Sequence, residues 1–250
     1  MGKPSILITG GAKRIGAQIA QAFGAAGWHV VIHYGQSREA AEALAARLPS
    51  AECVGCDLGD PAAAVAMVEA LAERLADWRV LVNSAAVFRY DDARALDGDV
   101  LAEAMRVNAE TPTRMAQAYL AHAQAAGGRR VIAITDMKLA NPNPDFFSYT
   151  MAKQALSASV RMLAMGAAQA QDRVYAIAPG AMLPSFDQHP LEHEVSGRMN
   201  LLQRLTDPAE IAQAALFMAQ GWLASGETVY VDSGQHLLAQ PRDVLYLARA

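Results

Sequence analysis

Apolar positions in this chain come in two patterns. Short, nearly unbroken apolar runs occupy residues 5–9, 29–34, 51–55, 79–83, 130–135, 173–178 and 227–232. Ala-rich segments with helical spacing of apolar positions lie between them, at 15–26, 38–48, 61–75, 100–126, 148–170 and 208–219. Strands apolar on both faces belong to a parallel sheet covered on both sides. Strand–helix alternation implies right-handed crossovers. The pattern therefore predicts an α/β fold, a doubly wound, seven-stranded parallel sheet with helices on both faces. No linker or internal repeat divides it, so residues 1–250 are expected to form a single domain.

Two segments fit neither pattern. They are 137–147, with two prolines and two asparagines, and 179–207. Both follow strands at their C-terminal ends, the edge of an open α/β sheet where ligands bind. Residues 181–205 are expected to act as a substrate lid, and 235–250 as an apolar tail packed on its own domain or on a neighbouring subunit.

Composition narrows the class. The 250 residues are 53% hydrophobic and 18% charged, as in a globular domain. A net charge of −4, without a Lys/Arg run, gives no reason to expect nucleic acid or an anionic membrane as partner. No apolar run approaches the roughly 18 residues of a membrane span. No secretory signal precedes the first strand, so a cytoplasmic protein is expected. Cys53 and Cys56 lack a second Cys or His pair at ligand spacing. In "HPLEHE" (189–194), a polar lid helix explains the two histidines better than a metal site does, and no metal is expected.

The first strand runs into "TGGAKRIG", residues 9–16. Gly10 and Gly11 permit a sharp turn and close approach of backbone to ligand. The following helix presents free N–H groups and a positive dipole end, an anion site suited to a pyrophosphate. At the end of the second strand, NAD-binding folds commonly carry an acidic residue for the ribose 2′-hydroxyl. Here His33, Tyr34 and Ser37 stand there, and Lys13 and Arg14 lie in the adjacent turn. Positive charge without an opposing carboxylate predicts NADPH rather than NADH.

Tyr149 and Lys153 in "YTMAK" lie four residues apart, on one helical face. A neighbouring ammonium would lower the tyrosine pKa and ready it for proton transfer. Asp136 closes the strand-like "VIAIT", where a turn residue, a helix cap and a working acid are all open readings.

With these motifs assembled, the chain resembles the short-chain dehydrogenase/reductase family along nearly its whole length. The resemblance rests on residues 9–16, Asp57 in "CDL", "NSAA" (83–86), Asn108 in "RVNAETP", the Tyr149/Lys153 pair, "PG" (179–180) and "VDSG" (231–234). It implies a Rossmann fold and a nicotinamide-dependent oxidoreductase. Tyr149 would donate the proton, Lys153 would hold the nicotinamide ribose and tune Tyr149, and Asn108 would support a proton-relay water. Asp57 and Asn83 would flank the adenine, with Gly10, Ile15, Leu58, Ala85, Pro179 and Gly180 also at the cofactor. A homotetramer is implied as well.

Three departures distinguish this chain from the general family pattern. Arg14 stands where the glycine turn usually has its middle glycine, Asn83-Ser84-Ala85-Ala86 replaces N-N-A-G, and Asp136 occupies the usual serine position. The pteridine reductase and dihydromonapterin reductase branch is similar in these respects, and Phe88 matches its ring-sandwiching aromatic. Many members of that branch have a serine where Ala86 stands. The branch implies NADPH-dependent reduction of a dihydropteridine such as dihydromonapterin or dihydrobiopterin. Hydride would go to a ring carbon and a proton to the adjacent nitrogen. Asp136, Tyr149 and Phe88 would face the pterin, and a partly desolvated carboxylate suits proton delivery to a ring nitrogen. The alternatives are a reductase of another carbonyl or imine, and a non-catalytic NADP-binding regulatory protein.

Overall fold

The computed structural model describes residues 2–185 and 187–249. Its centre is a seven-stranded parallel sheet in the order β3-β2-β1-β4-β5-β6-β7. The strands are β1 (Ser5–Ile8), β2 (His29–Tyr34), β3 (Ala51–Gly55), β4 (Trp78–Asn83), β5 (Arg130–Ile134), β6 (Arg173–Pro179) and β7 (Thr228–Val231). Each falls within about a residue or two of an apolar run read from the sequence. Alternation inside the runs feeds both sheet faces. Leu7, Val31 and Leu81 enter one core layer with Met115, Tyr119 and Leu156. Their neighbours Ile6, Ile8, Val30, Ile32, Val80 and Val82 enter the other, with Ile19, Phe23 and Ile211.

The helices are α1 (Arg14–Ala25), α2 (Arg38–Ala45), α3 (Pro61–Arg74), α4 (Gly98–Met105), α5 (Thr111–His122), α6 (Phe147–Gly166), α7 (Pro190–Gly197), α8 (Pro208–Ala219) and α9 (Val244–Leu247). α1 packs with α8 and α3 with α5, giving the layered arrangement.

The single helix expected over 100–126 is instead two helices joined by a π-helical segment, Arg106–Glu110. Two sequence features force the break. Pro112 has no N–H to give to the carbonyl four residues back. The Asn108 side chain leaves the helix to bond another strand end, accepting from Val87 N at 2.8 Å and donating to Val87 O at 2.9 Å. A π turn accommodates both.

The irregular stretch 179–207 contains one helix, α7, which begins inside "HPLEHE". His189 caps it by accepting from Leu191 N, and Glu192 reaches back to His189 N at 3.0 Å. The two histidines thus belong to a helix, as the sequence suggested. Among the described residues, no group of three or more His, Cys, Asp or Glu is arranged to hold a metal. None of the described helices is long and apolar enough to cross a membrane.

The strand order reverses at β1: the chain steps to β2 and β3 on one side, then returns to β4 on the other. The crevice above the carboxyl ends of β1 and β4 is where such sheets bind ligands.

Candidate active site

A cavity of about 590 Å³ opens at that crevice. Its floor at one end is the turn after β1. Gly10 takes a φ of 61°, which suits glycine. A Cβ on Gly10 would stand 3.0 Å from Ala85 Cα, and one on Gly16 would stand 2.3 Å from Gly10 O. Thr9 Oγ1 accepts from Ser84 N at 2.9 Å and Ala85 N at 3.1 Å, fastening this turn to the segment after β4. Lys13, Arg14, Ile15, Tyr34, Ser37 and Ala85 line this end with Gly10. Two bases face it and no carboxylate stands at the end of β2, so the residues present fit a dinucleotide bearing an extra phosphate. Arg14 also reaches the segment after β6, donating to Pro184 O at 3.0 Å.

The other end gathers the titratable side chains. Asp136, Tyr149, Lys153, Phe88, Pro179 and Gly180 all line the same cavity. The hydroxyl of Tyr149 donates to Asp136 Oδ2 at 3.0 Å. Asp136 Oδ1 accepts from Lys138 N at 2.9 Å and caps a short 3-10 turn, Met137–Leu139. The carboxylate therefore performs the capping role and faces the tyrosine at once, one oxygen for each.

Burial pushes the Asp136 carboxyl above its ordinary pKa, against the opposing pull of Lys138 and its amide. Burial, then the charge and hydrogen bond of Asp136, raise Tyr149 well above the usual phenol value. The lowering anticipated from Lys153 is thus reversed: Lys153 Nζ donates to Ile134 O at 2.7 Å and lies 5.6 Å from the Tyr149 ring centroid. Burial pulls Lys153 down to about 8, with Asp136 opposing. The tyrosine and carboxyl form one hydrogen-bonded proton-holding unit whose titrations are coupled.

Five of the residues selected from sequence sit behind or beside the cavity wall. His33 is buried; its Nδ1 accepts from Gly10 N at 3.2 Å while Nε2 faces Cys56 O at 3.0 Å. Burial lowers its pKa, so it is a neutral strut beneath the glycine turn. Asp57 turns its own loop by accepting from Gly59 N, and Leu58 offers its carbonyl to Thr111 Oγ1. Asn83 donates to Pro112 O at 3.1 Å, and Asn108 holds Val87 as described. His33, Asn83 and Asn108 thus back segments that line the cavity, whereas Asp57 and Leu58 lie in a loop outside it.

Other wall residues escaped the sequence reading. The tail folds back on its own domain and brings Asp243, Val244 and Leu245 to the cavity, opposite Lys138. Leu245 packs with Phe146, Tyr149 and Phe88. Phe88 stacks on Phe146 at 4.0 Å between centroids and meets Tyr149 edge-on at 4.7 Å. Asp145, buried at the base, accepts two bonds from Arg242 at 2.7 Å each and one from Asp243 N at 2.8 Å. The "RDVLYL" stretch does carry a helix-start signal, Asp before an apolar run. That signal gives the small helix α9 but not where it docks.

Fold and site together define an enzyme class, and comparison with known proteins agrees. A family model described as enoyl-(acyl carrier protein) reductase matches residues 10–236. The chain belongs to the short-chain dehydrogenase/reductase family, and it is an oxidoreductase. Among its relatives, pteridine reductase 1 of Leishmania tarentolae is 28% identical over 279 residues, spanning 94% of this chain and 96% of the relative. Versicolorin reductase of Emericella nidulans is 27% identical over 249 residues, spanning 91% and 94%. The crystal structure of FolM alternative dihydrofolate reductase 1 from Brucella canis, complexed with NADP, superposes with a TM-score of 0.88 at 32% identity, covering 96% of each chain.

Proposed function

We propose that this oxidoreductase uses NADPH to reduce a dihydropteridine to its tetrahydro form. The observation that carries the reading is the Asp136–Tyr149 hydrogen bond inside the cavity, with a carboxyl where a ketone reductase of this family carries serine. A ketone needs its oxygen polarised, which an uncharged hydroxyl does. A dihydropterin needs a proton delivered to a ring nitrogen, and a carboxyl of raised pKa can hold one for it. NADPH, when bound, supplies the hydride. The residues that would hold it are those of the glycine turn, with Lys13, Arg14 and Ser37 toward the extra phosphate and Lys153 toward the nicotinamide ribose.

The chain's own contribution is placement and the proton. Phe88 offers a ring face for an aromatic substrate, backed by Phe146. Tyr149 and Asp136 pass the proton, and Lys153, near neutrality at alkaline pH, adjusts the charge beside them. The named relatives pteridine reductase 1 and FolM alternative dihydrofolate reductase 1 support the reading. The second reading, reduction of another carbonyl or imine, is favoured by the angucycline C-6 ketoreductase LanV among the solved structures.

The test is NADPH oxidation measured with dihydropterins, dihydrofolate, quinones and acyl ketones, repeated with NADH. Turnover of dihydropterins with a clear preference for NADPH is expected. Turnover confined to ketones gives the second reading, and equal efficiency with NADH removes the cofactor assignment. We assign a homotetramer to the protein in solution. Uncovered apolar side chains support it: Met165, 88% exposed, on α6, and Trp222, 74% exposed, against Phe217.

A further inference from the structure

The cavity holds a second carboxylate that the proton-delivery unit does not use. Asp243 comes from the tail, and its Oδ2 lies 2.6 Å from Lys138 Nζ. Both side chains line the cavity yet are only 14% and 7% exposed. Asp243 Oδ1 accepts from Leu245 N at 3.0 Å. Lys138 is held in place in turn, with Nζ 3.4 Å from Asp145 O and 5.1 Å above the Phe146 ring.

Capping does not account for a charge here, although the carboxylate also serves as counter-ion to the buried Lys138. Capping α9 requires a short polar side chain, and asparagine caps as well as aspartate. The tail is already fastened by Arg242 on Asp145. A desolvated ion pair returns in attraction little more than its desolvation costs. Each Asp243 oxygen is engaged once, and a carboxylate oxygen can accept twice. The pair therefore presents the cavity with unused acceptors beside an ammonium donor, at fixed positions.

We infer that Asp243, positioned by Lys138, is a specificity-determining residue that selects an amidine-like edge of the substrate, a ring N–H flanked by an exocyclic amine. This inference rests on the reading of the cavity as a pteridine site. Such an edge offers two parallel donors, which a carboxylate accepts as a bidentate pair. The adjacent ammonium matches a neighbouring ring carbonyl. A ligand with oxygen in place of the amine turns an acceptor toward the carboxylate and is rejected. Discrimination by an unpaired buried polar group exceeds what shape alone provides.

Pterin and lumazine share one ring system and differ in carrying an amine or a carbonyl at the 2-position. Binding of each to the full-length protein loaded with NADP⁺, by calorimetry, tests the assignment. The wild type is expected to prefer pterin by about tenfold to a hundredfold, the range of a hydrogen bond to a charged group. Asp243→Asn keeps the cap but can turn its amide NH₂ toward lumazine, so the preference should collapse or invert. Asp243→Ser, which also caps, gives a second variant should the first fold poorly, and should lose the preference without inverting it. An unchanged preference in the variants overturns the inference. So does an equal loss of both ligands, which marks a purely structural role, and so does a wild type without preference. Selective pterin binding lost in Asp243→Asn, in an enzyme that turns over no dihydropterin, leaves this inference standing and removes the proposed reaction.

Discussion

Arg14 sits in the left-handed region of backbone space, with a φ of 53°. An L-residue there carries a cost of about 1–2 kcal/mol that glycine escapes. Arg14 stands where the family pattern has glycine, and its backbone shows why that pattern exists. Strain retained at a ligand site suggests that the side chain compensates elsewhere. Arg14→Gly is therefore expected to raise thermal stability by about 1 kcal/mol and to weaken NADPH much more than NADH. Thermal melts and cofactor titrations check the two halves separately, and unchanged NADPH affinity would remove Arg14 from the phosphate site.

Asp136 gives a pH-dependent case at the same scale. Its folded-state pKa is raised, so its favourable contribution to folding is present below the ordinary carboxylate pKa and is lost as pH rises through the raised value. Its protonated form, the proposed donor, disappears over the same limb. Asp136→Ser is expected to cut dihydropterin turnover by about two orders of magnitude or more, as for loss of a general acid. It should also flatten the alkaline fall in rate and melt no lower than the wild type at pH 8. A pH–rate profile identical to wild type would return Asp136 to a capping role. The residue was legible in the sequence by position alone. Its double duty was not, because a cap and an acid look the same until Tyr149 is placed against one oxygen.

Elements were legible where local pattern decided them. The strands follow their apolar runs because both faces of the sheet are covered. The 100–126 helix was misread because its alanines keep helical period straight through Asn108, while the break comes from a bond to Val87, distant in sequence. The tail's docking was invisible for the same reason: its partners, Asp145 and Lys138, lie about a hundred residues upstream.

The Asp145–Arg242 pair is the element that holds the tail. Burial would push the Asp145 carboxyl up, but Arg242 and the Asp243 amide outweigh that and hold it below the usual range. Its stabilisation is therefore complete above the ordinary carboxylate pKa and lost as pH falls through the lowered folded value. Asp145→Asn should cost about 1–3 kcal/mol, from weakened hydrogen bonds to a charged partner. It should raise KM for the substrate more than it lowers kcat, because it loosens the wall that carries Leu245. Steady-state kinetics beside a denaturant titration measures this; a kcat effect alone would place Asp145 in the chemistry.

The molecule as a whole exposes apolar side chains around Met165 on α6 and at Phe217 and Trp222 beside the sheet edge. A tetramer with dihedral symmetry needs two kinds of self-complementary interface. If the proposed tetramer forms, Met165→Arg and Trp222→Arg are each expected to reduce it to a dimer, and the double variant to a monomer. Light scattering reads this directly, and a wild-type monomer would sink the assignment. The doubly wound sheet and a ligand site at its carboxyl edge were expected from the sequence; the strand order, and with it the switch point at β1, comes from the structure.

Arg249, four residues beyond the wall residue Leu245, pairs with Asp187 and with Glu192 of α7. This bears on how the protein should be handled. A bulky tag or fluorescent fusion following Arg249 competes with that ion-pair cluster, a few residues beyond the tail segment that lines the cavity. Gly2 and Lys3 are exposed, precede β1 and take no part in that cluster, so a tag at the amino-terminal end leaves it alone. Assays meant to compare variants of the cavity should use the amino-terminal arrangement, so that the handle does not become an unrecorded ligand.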